Sequence, residues 1–136
     1  MQQVVLSRVE GAVVCERCSD ARTAFARMRG LLGRSELPQG EGILLRPAGS
    51  VHTAFMRFPI DVVFLDGELE VLRIERALPP WRMAAARGAR AVLELPSGEA
   101  DRRGLEVGAR LELPSTAQRA PGKPGRLRSI RPGFKS

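Results

Sequence analysis

Asp61 stands inside an apolar run, Ile60-Asp61-Val62-Val63-Phe64-Leu65, and the only histidine of the chain, His52, lies shortly before it. A histidine beside a carboxylate can move protons near neutral pH, because the carboxylate fixes the ring tautomer and favours the imidazolium. Ser50 would complete a serine–histidine–aspartate set for acyl transfer. A second candidate is Cys15-Glu16-Arg17-Cys18, a C-x-x-C that could serve as a redox dithiol or as two ligands of a metal site.

Each chemistry meets a constraint. No Gly-x-Ser-x-Gly elbow surrounds Ser50, and Ser50 and His52 fall on one strand face, which does not aim them at each other. A structural zinc needs four ligands, and a lone C-x-x-C with a single histidine is too few, so no metal and no cofactor are expected. A thioredoxin-like site needs its cysteines at a helix N-terminus; Cys18 comes two residues before Asp20, a candidate N-cap. The alternative for the thiols is that they are free and incidental. The glycines, Gly40-Glu41-Gly42 included, lack the strand–turn–helix order of a phosphate loop.

Asp61 has a structural reading beside the catalytic one. Pro59 can open a strand, after which Asp61 shares a face with Val63 and Leu65 while Ile60, Val62 and Phe64 take the other. A carboxylate there is costly unless paired. Arg57, His52 or the backbone N–H groups of the 57–59 bend are the nearest partners. The candidate functional cluster is therefore His52, Thr53, Met56, Arg57, Asp61 and Asp66, with no catalytic role assigned and the question of enzyme or not left open.

The elements that must position this cluster are mostly short strands. Val4–Val9 and Ala12–Cys15 flank the turn signal Glu10-Gly11 and read as an opening hairpin. Ala21, Ala24, Phe25, Met28, Leu31 and Leu32 recur at helical spacing, which predicts a helix over 21–32 capped by Asp20 and stopped at Gly33. A loop over 35–42 follows. Strands are predicted over 43–45, 51–56, 60–65, 69–76, 91–95 and 110–113, with a hairpin turn at Asp66-Gly67-Glu68. Ser97 is placed to cap a short helix ending at Gly104, with Leu105 packing back. Phe25, Met28, Leu32, Ile60, Val62, Phe64, Leu72, Ile74, Leu93 and Leu95 are the expected core. The fold class is α+β: a β-rich domain with a curled or barrel-like mixed sheet, one long helix and one short helix.

Charge divides the chain. Residues 1–113 hold 16 Arg, no Lys and all 15 acidic residues, a net of +1, whereas residues 114–136 hold six basic residues and no acid. That second stretch is rich in Pro and Gly and has few large apolar side chains, so it reads as a disordered tail after a single domain over 1–113. It could associate loosely with nucleic acid or another anionic surface. There is no apolar run long enough to cross a membrane as a helix, and no secretory pattern at the start, which leaves the cytoplasm as the expected location.

Three blocks resemble the bacterial and archaeal family called domain of unknown function 192. They are Arg27-Met28-Arg29-Gly30-Leu31-Leu32-Gly33-Arg34, the long block His52 to Asp66, and Val92-Leu93-Glu94-Leu95-Pro96-Ser97-Gly98. Together they span most of 4–113. The resemblance implies a small β-rich fold with one long helix and no established activity. The family follows its third block with a Gly-Asp pair; here Gly108 is followed by Ala109. Two classes of function remain: a non-catalytic domain that binds a small ligand or protein partner, and a small enzyme using Asp61 and His52.

Overall fold

A computed structural model describes residues 2–21, 36–54 and 56–114. Nine strands lie in this part: β1 (Gln2–Arg8), β2 (Val13–Ala21), β3 (Glu41–Leu45), β4 (Ser50–His52), β5 (Ile60–Leu65), β6 (Val71–Leu78), β7 (Met83–Ala85), β8 (Ala91–Pro96) and β9 (Leu111–Glu112). The one helix among the described residues, α1, is the single turn Glu99–Arg102.

Seven strands form one mixed sheet in the order β6-β5-β8-β3-β2-β1-β9, while β4 and β7 pair separately. Only β2 and β3 run parallel. The sheet curls into a half-barrel whose two edges meet at one end. There Glu70 bridges Arg110, the Val71 N–H donates to the Ala109 carbonyl at 2.9 Å or less, and the Leu111 N–H donates to the Leu69 carbonyl. Covering an edge in this way removes a free ladder from solvent.

Two apolar clusters follow from the curl. The inner one joins Leu6, Val14, Leu44, Val63, Leu65, Leu93 and Leu95 with Val71 and Leu111 from the two edges. The outer one joins Ile43, Leu45, Ile60, Val62, Phe64 and Val92 and is covered by Val51, Met56 and Leu78. β5 and β8 lie between the two clusters, so all six residues of each are buried. Gly42 sits at a close approach: a Cβ there would lie 2.9 Å from both the Cys15 Sγ and the Glu94 carbonyl oxygen.

The opening hairpin, the turn at Asp66 and the strands at 43–45, 60–65 and 91–95 match the sequence reading. So does the end of α1. The Leu105 N–H bonds the Ala100 carbonyl, the Gly104 N–H bonds the Asp101 carbonyl, and Gly104 has φ +69°. Both bonds define a Schellman stop.

Other expectations need correction. Asp20 and Ala21 are the last residues of β2, not the start of a helix; Asp20 forms a two-bond pair with Arg46. The remainder of the helix predicted over 21–32, with Phe25, Met28 and Leu32, lies outside the described residues, and the described part is β-rich with very little helix. Glu41 and Gly42 belong to β3, not to a loop. The 51–56 strand stops at His52, because Met56 N–H turns back to the Thr53 carbonyl. Leu72 and Ile74 are only half-buried. A bulge between Glu75 and Leu78 breaks the pairing with β5, and Val71 and Leu78 are buried instead.

Candidate functional site

Asp61 is 1% exposed, on the inner face of β5 with Val63 and Leu65 as expected. Its partners are backbone N–H groups, though not those of the 57–59 bend. Oδ1 accepts from Ala77 at 2.8 Å; Oδ2 accepts from Gly98 at 3.0 Å and Ala100 at 2.9 Å. The carboxylate thereby caps α1 across the fold, a role sequence reasoning gave to Ser97, which is exposed and makes no cap bond. It also fixes Ala77, whose φ of +50° is left-handed for a residue with a side chain. Arg57 and His52 are exposed and are not among its partners.

Thr53 is fully buried and does a parallel job one layer out. Its hydroxyl donates to the Pro79 carbonyl at 2.7 Å and accepts the Arg82 N–H at 2.8 Å. Its own N–H donates to the Arg82 carbonyl, and its carbonyl accepts the Trp81 N–H. Thr53 and Asp61 thus grip the two ends of one segment, 77–82. That segment contains two left-handed residues, Ala77 and Trp81 (φ +66°). Non-glycine residues held there cost about 1–3 kcal/mol each and persist only where the surroundings over-determine them.

The gripped segment displays Trp81, 60% exposed, followed by Met83, 76% exposed. Met83 pairs directly with His52 across the β4–β7 ladder, so thioether and imidazole share one outward face. Met56 is buried in the outer cluster, on the other side from His52. Asp66 organises its hairpin: Oδ1 accepts the Glu68 N–H at 2.8 Å and the Glu70 N–H at 2.9 Å, and these bonds hold its carboxyl below the usual range. Of the sequence-derived cluster, then, Thr53 and Asp61 act on a common segment, His52 lies on the face beside it, Arg57 is exposed at the bend, and Met56 and Asp66 serve packing and a turn.

Glu94 was missed as a site candidate. It is 6% exposed on β8, facing the outer cluster between Ile43 and Val62. Burial pushes its carboxyl up to about 7, and no neighbouring charge or hydrogen bond among the described residues offsets that. Glu99 is as deeply buried but behaves differently. Desolvation pushes it up, and the guanidiniums of Arg102 and Arg103, at 3.0 and 2.9 Å, more than reverse this, so it ends below the usual range.

Cys15 and Cys18 are both free and buried in the inner cluster. Three positions apart on a regular strand, they would face opposite ways. A bulge in β2, where Val4 pairs with Cys18 and Leu6 with Cys15, turns both inward. They lie within a strand, not at the helix start that thiol redox chemistry was expected to use. The Cys18 thiol is pushed up by the neighbouring Cys15 thiol and by burial. Among the described residues no three His, Cys, Asp or Glu side chains cluster as metal ligands. Ala109 is buried, and its carbonyl serves the edge closure.

Residues 6–113 match the family model DUF192, described as "Uncharacterized ACR, COG1430". The chain is similar to a UPF0127 protein of Thermococcus sibiricus, 32% identical over 114 residues, covering 80% of this chain and 73% of that one. A UPF0127 protein of Pyrococcus furiosus is 44% identical over 64 residues, 46% of this chain and 54% of the other. Among solved structures, a protein of unknown function from Novosphingobium aromaticivorans aligns with a TM-score of 0.69 at 28% identity, over 81% of this chain and 83% of that one. A protein from Sinorhizobium meliloti, provisionally described as a transcription regulator, aligns with a TM-score of 0.71 at 23% identity, over 82% and 92%. No helix among the described residues is long and apolar enough to cross a membrane.

Proposed function

This chain belongs to the DUF192 family, whose activity is unassigned, and we propose that it is a non-catalytic binding domain whose contact face is the outer side of β4–β7 with Trp81. One observation carries the reading: the two buried polar side chains of the His52–Asp66 block, Thr53 and Asp61, are engaged by the backbone of 77–82, which presents an exposed tryptophan in a left-handed conformation. Holding strained backbone opposes folding, and leaving an indole exposed gives up the stabilisation its burial would supply, so a selected role for the face is the economical explanation.

The acid–base alternative is less well supported. A general base needs a free oxygen within reach of a substrate proton. Both Asp61 oxygens accept backbone N–H bonds, and His52 is exposed away from them. The regulatory description of the Sinorhizobium meliloti protein belongs to that protein; at 23% identity the likeness bears on fold alone.

The test uses Trp81, the only tryptophan of the chain. Thr53→Val removes the hydroxyl that joins Pro79 to Arg82. Time-resolved fluorescence anisotropy should show a larger fast component of indole motion in that variant, with the global fold retained by circular dichroism. Unchanged indole motion would remove the basis for a pre-organised face.

A further inference from the structure

The two segments that build the β4–β7 face contain no acid. Residues 46–60 carry Arg46 and Arg57, and residues 77–90 carry Arg82, Arg87 and Arg90. Arg46 is paired with Asp20, but Arg57, Arg82, Arg87 and Arg90 are exposed. Elsewhere in residues 1–113 acidic residues outnumber basic ones, 15 to 11, so the two segments stand out as basic. A partner for this face is therefore anionic.

The apolar part of the face selects among anionic partners. It offers one indole and one thioether, with an imidazole opposite. A stable protein interface buries about 800 Å² per partner around several apolar anchors. Two exposed side chains fall short of that, whereas one indole suffices to stack one base. Among the described residues the face has no helix and no long ribbon to enter a duplex groove.

We propose that the β4–β7 face binds single-stranded nucleic acid, with a base stacked on Trp81 beside Met83 and His52 and phosphates met by Arg57, Arg82 and Arg87. This rests on the binding-face reading above and adds its ligand class. The Thr53→Val anisotropy experiment can succeed while this assignment fails, so the two are separable. One stacking ring implies a short footprint, weak sequence preference and strong dependence on salt.

The experiment titrates ten-nucleotide oligothymidine and oligouridine into the full chain at 50 mM salt, following Trp81 emission and, in parallel, the anisotropy of a labelled oligonucleotide. Saturable quenching of Trp81 is expected. Trp81→Ala should weaken binding by about fivefold or more, read from the labelled strand. Arg82→Ala should lower the slope of log affinity against log salt by about 0.7, and Arg82→Lys should restore it. Three outcomes would overturn the assignment. One is an anisotropy change without Trp81 quenching, which places the contact on the basic residues of 114–136. Another is equal quenching by polyglutamate, which makes the partner an acidic polypeptide. The last is no binding by any probe.

Discussion

Two buried carboxylates on adjacent strands meet opposite fates. Asp61, at the end of β5, faces the inner cluster and accepts three backbone N–H bonds; Glu94, in the middle of β8, faces the outer cluster with only apolar strand neighbours at Ile43 and Val62. Asp61 stays buried because the ends of β6 and α1 bring their orphan donors to it. Among the described residues Glu94 has no such donors, and burial shifts its carboxyl toward the neutral form. A carboxyl in a protein interior either becomes part of the backbone hydrogen-bond inventory or gives up its charge. The first kind holds structure, and the second makes stability depend on pH.

The largest expected effect is at the bonded carboxyl. Asp61→Ala leaves three N–H groups without their acceptor and should cost about 3–5 kcal/mol, measured by urea denaturation. Asp61→Asn keeps one oxygen but turns an NH₂ toward donors, so it should cost less than alanine and still clearly more than a surface change of about 0.5 kcal/mol. Equal stability for Asp61→Asn and wild type would erase the contrast with Glu94 and return Asp61 to the catalytic candidates.

Glu94 supplies the next effect, with the opposite sign. Its folded value of about 7 lies above the ordinary 4.5, so the native state holds a proton that the unfolded chain has released. Stability is greatest below pH 4.5 on this account alone and falls as pH rises through 7, by up to about 3 kcal/mol. Glu94→Gln should flatten stability against pH between 5 and 7. Persistence of the slope in that variant would assign it to another group. Glu99, held low by its arginines despite desolvation, works the other way, and its contribution fades as pH falls below 4.5.

Thr53→Val comes third. It loses a donor to Pro79 and an acceptor for Arg82, and should cost about 1–2 kcal/mol in denaturant. A cost near zero would mean that the 79–82 segment is held by its backbone bonds to Thr53 alone. The smallest effect is expected from removing residues 116–136, which should leave the melting temperature nearly unchanged. A large drop would show that these residues dock on the domain.

The sequence carried the strands whose pattern is local. Ile60–Leu65 and Ala91–Leu95 were legible as apolar runs, and Gly104-Leu105 as a helix stop. What it hid depends on distant partners or on inserted residues. Asp61 is bonded by residues 16 to 39 positions later, so only its misfit in an apolar run could signal a special role. Asp20 looked like a cap because its acceptor role is generic, and its pairing with Arg46, 26 residues on, leaves no local signal. The bulges in β2 and β6 shift side chains off the expected face, which moved Cys15 and Cys18 together and left Leu72 and Ile74 half-buried. Glu94 resembled the polar side of an alternating strand. The missed signal was that β8 is apolar on both faces, as befits a strand in the sheet's centre.

The grip of the His52–Asp66 block on 77–82 is tested most directly by amide hydrogen exchange at Ala77, Gly98, Ala100 and Arg82. In the wild-type protein all four should be protected. Asp61→Asn should reduce protection at Ala77, Gly98 and Ala100 while leaving Arg82 protected, and Thr53→Val should do the reverse. Exchange at these amides that is fast in the wild type, or indifferent to both substitutions, would contradict a clamp formed by Asp61 and Thr53.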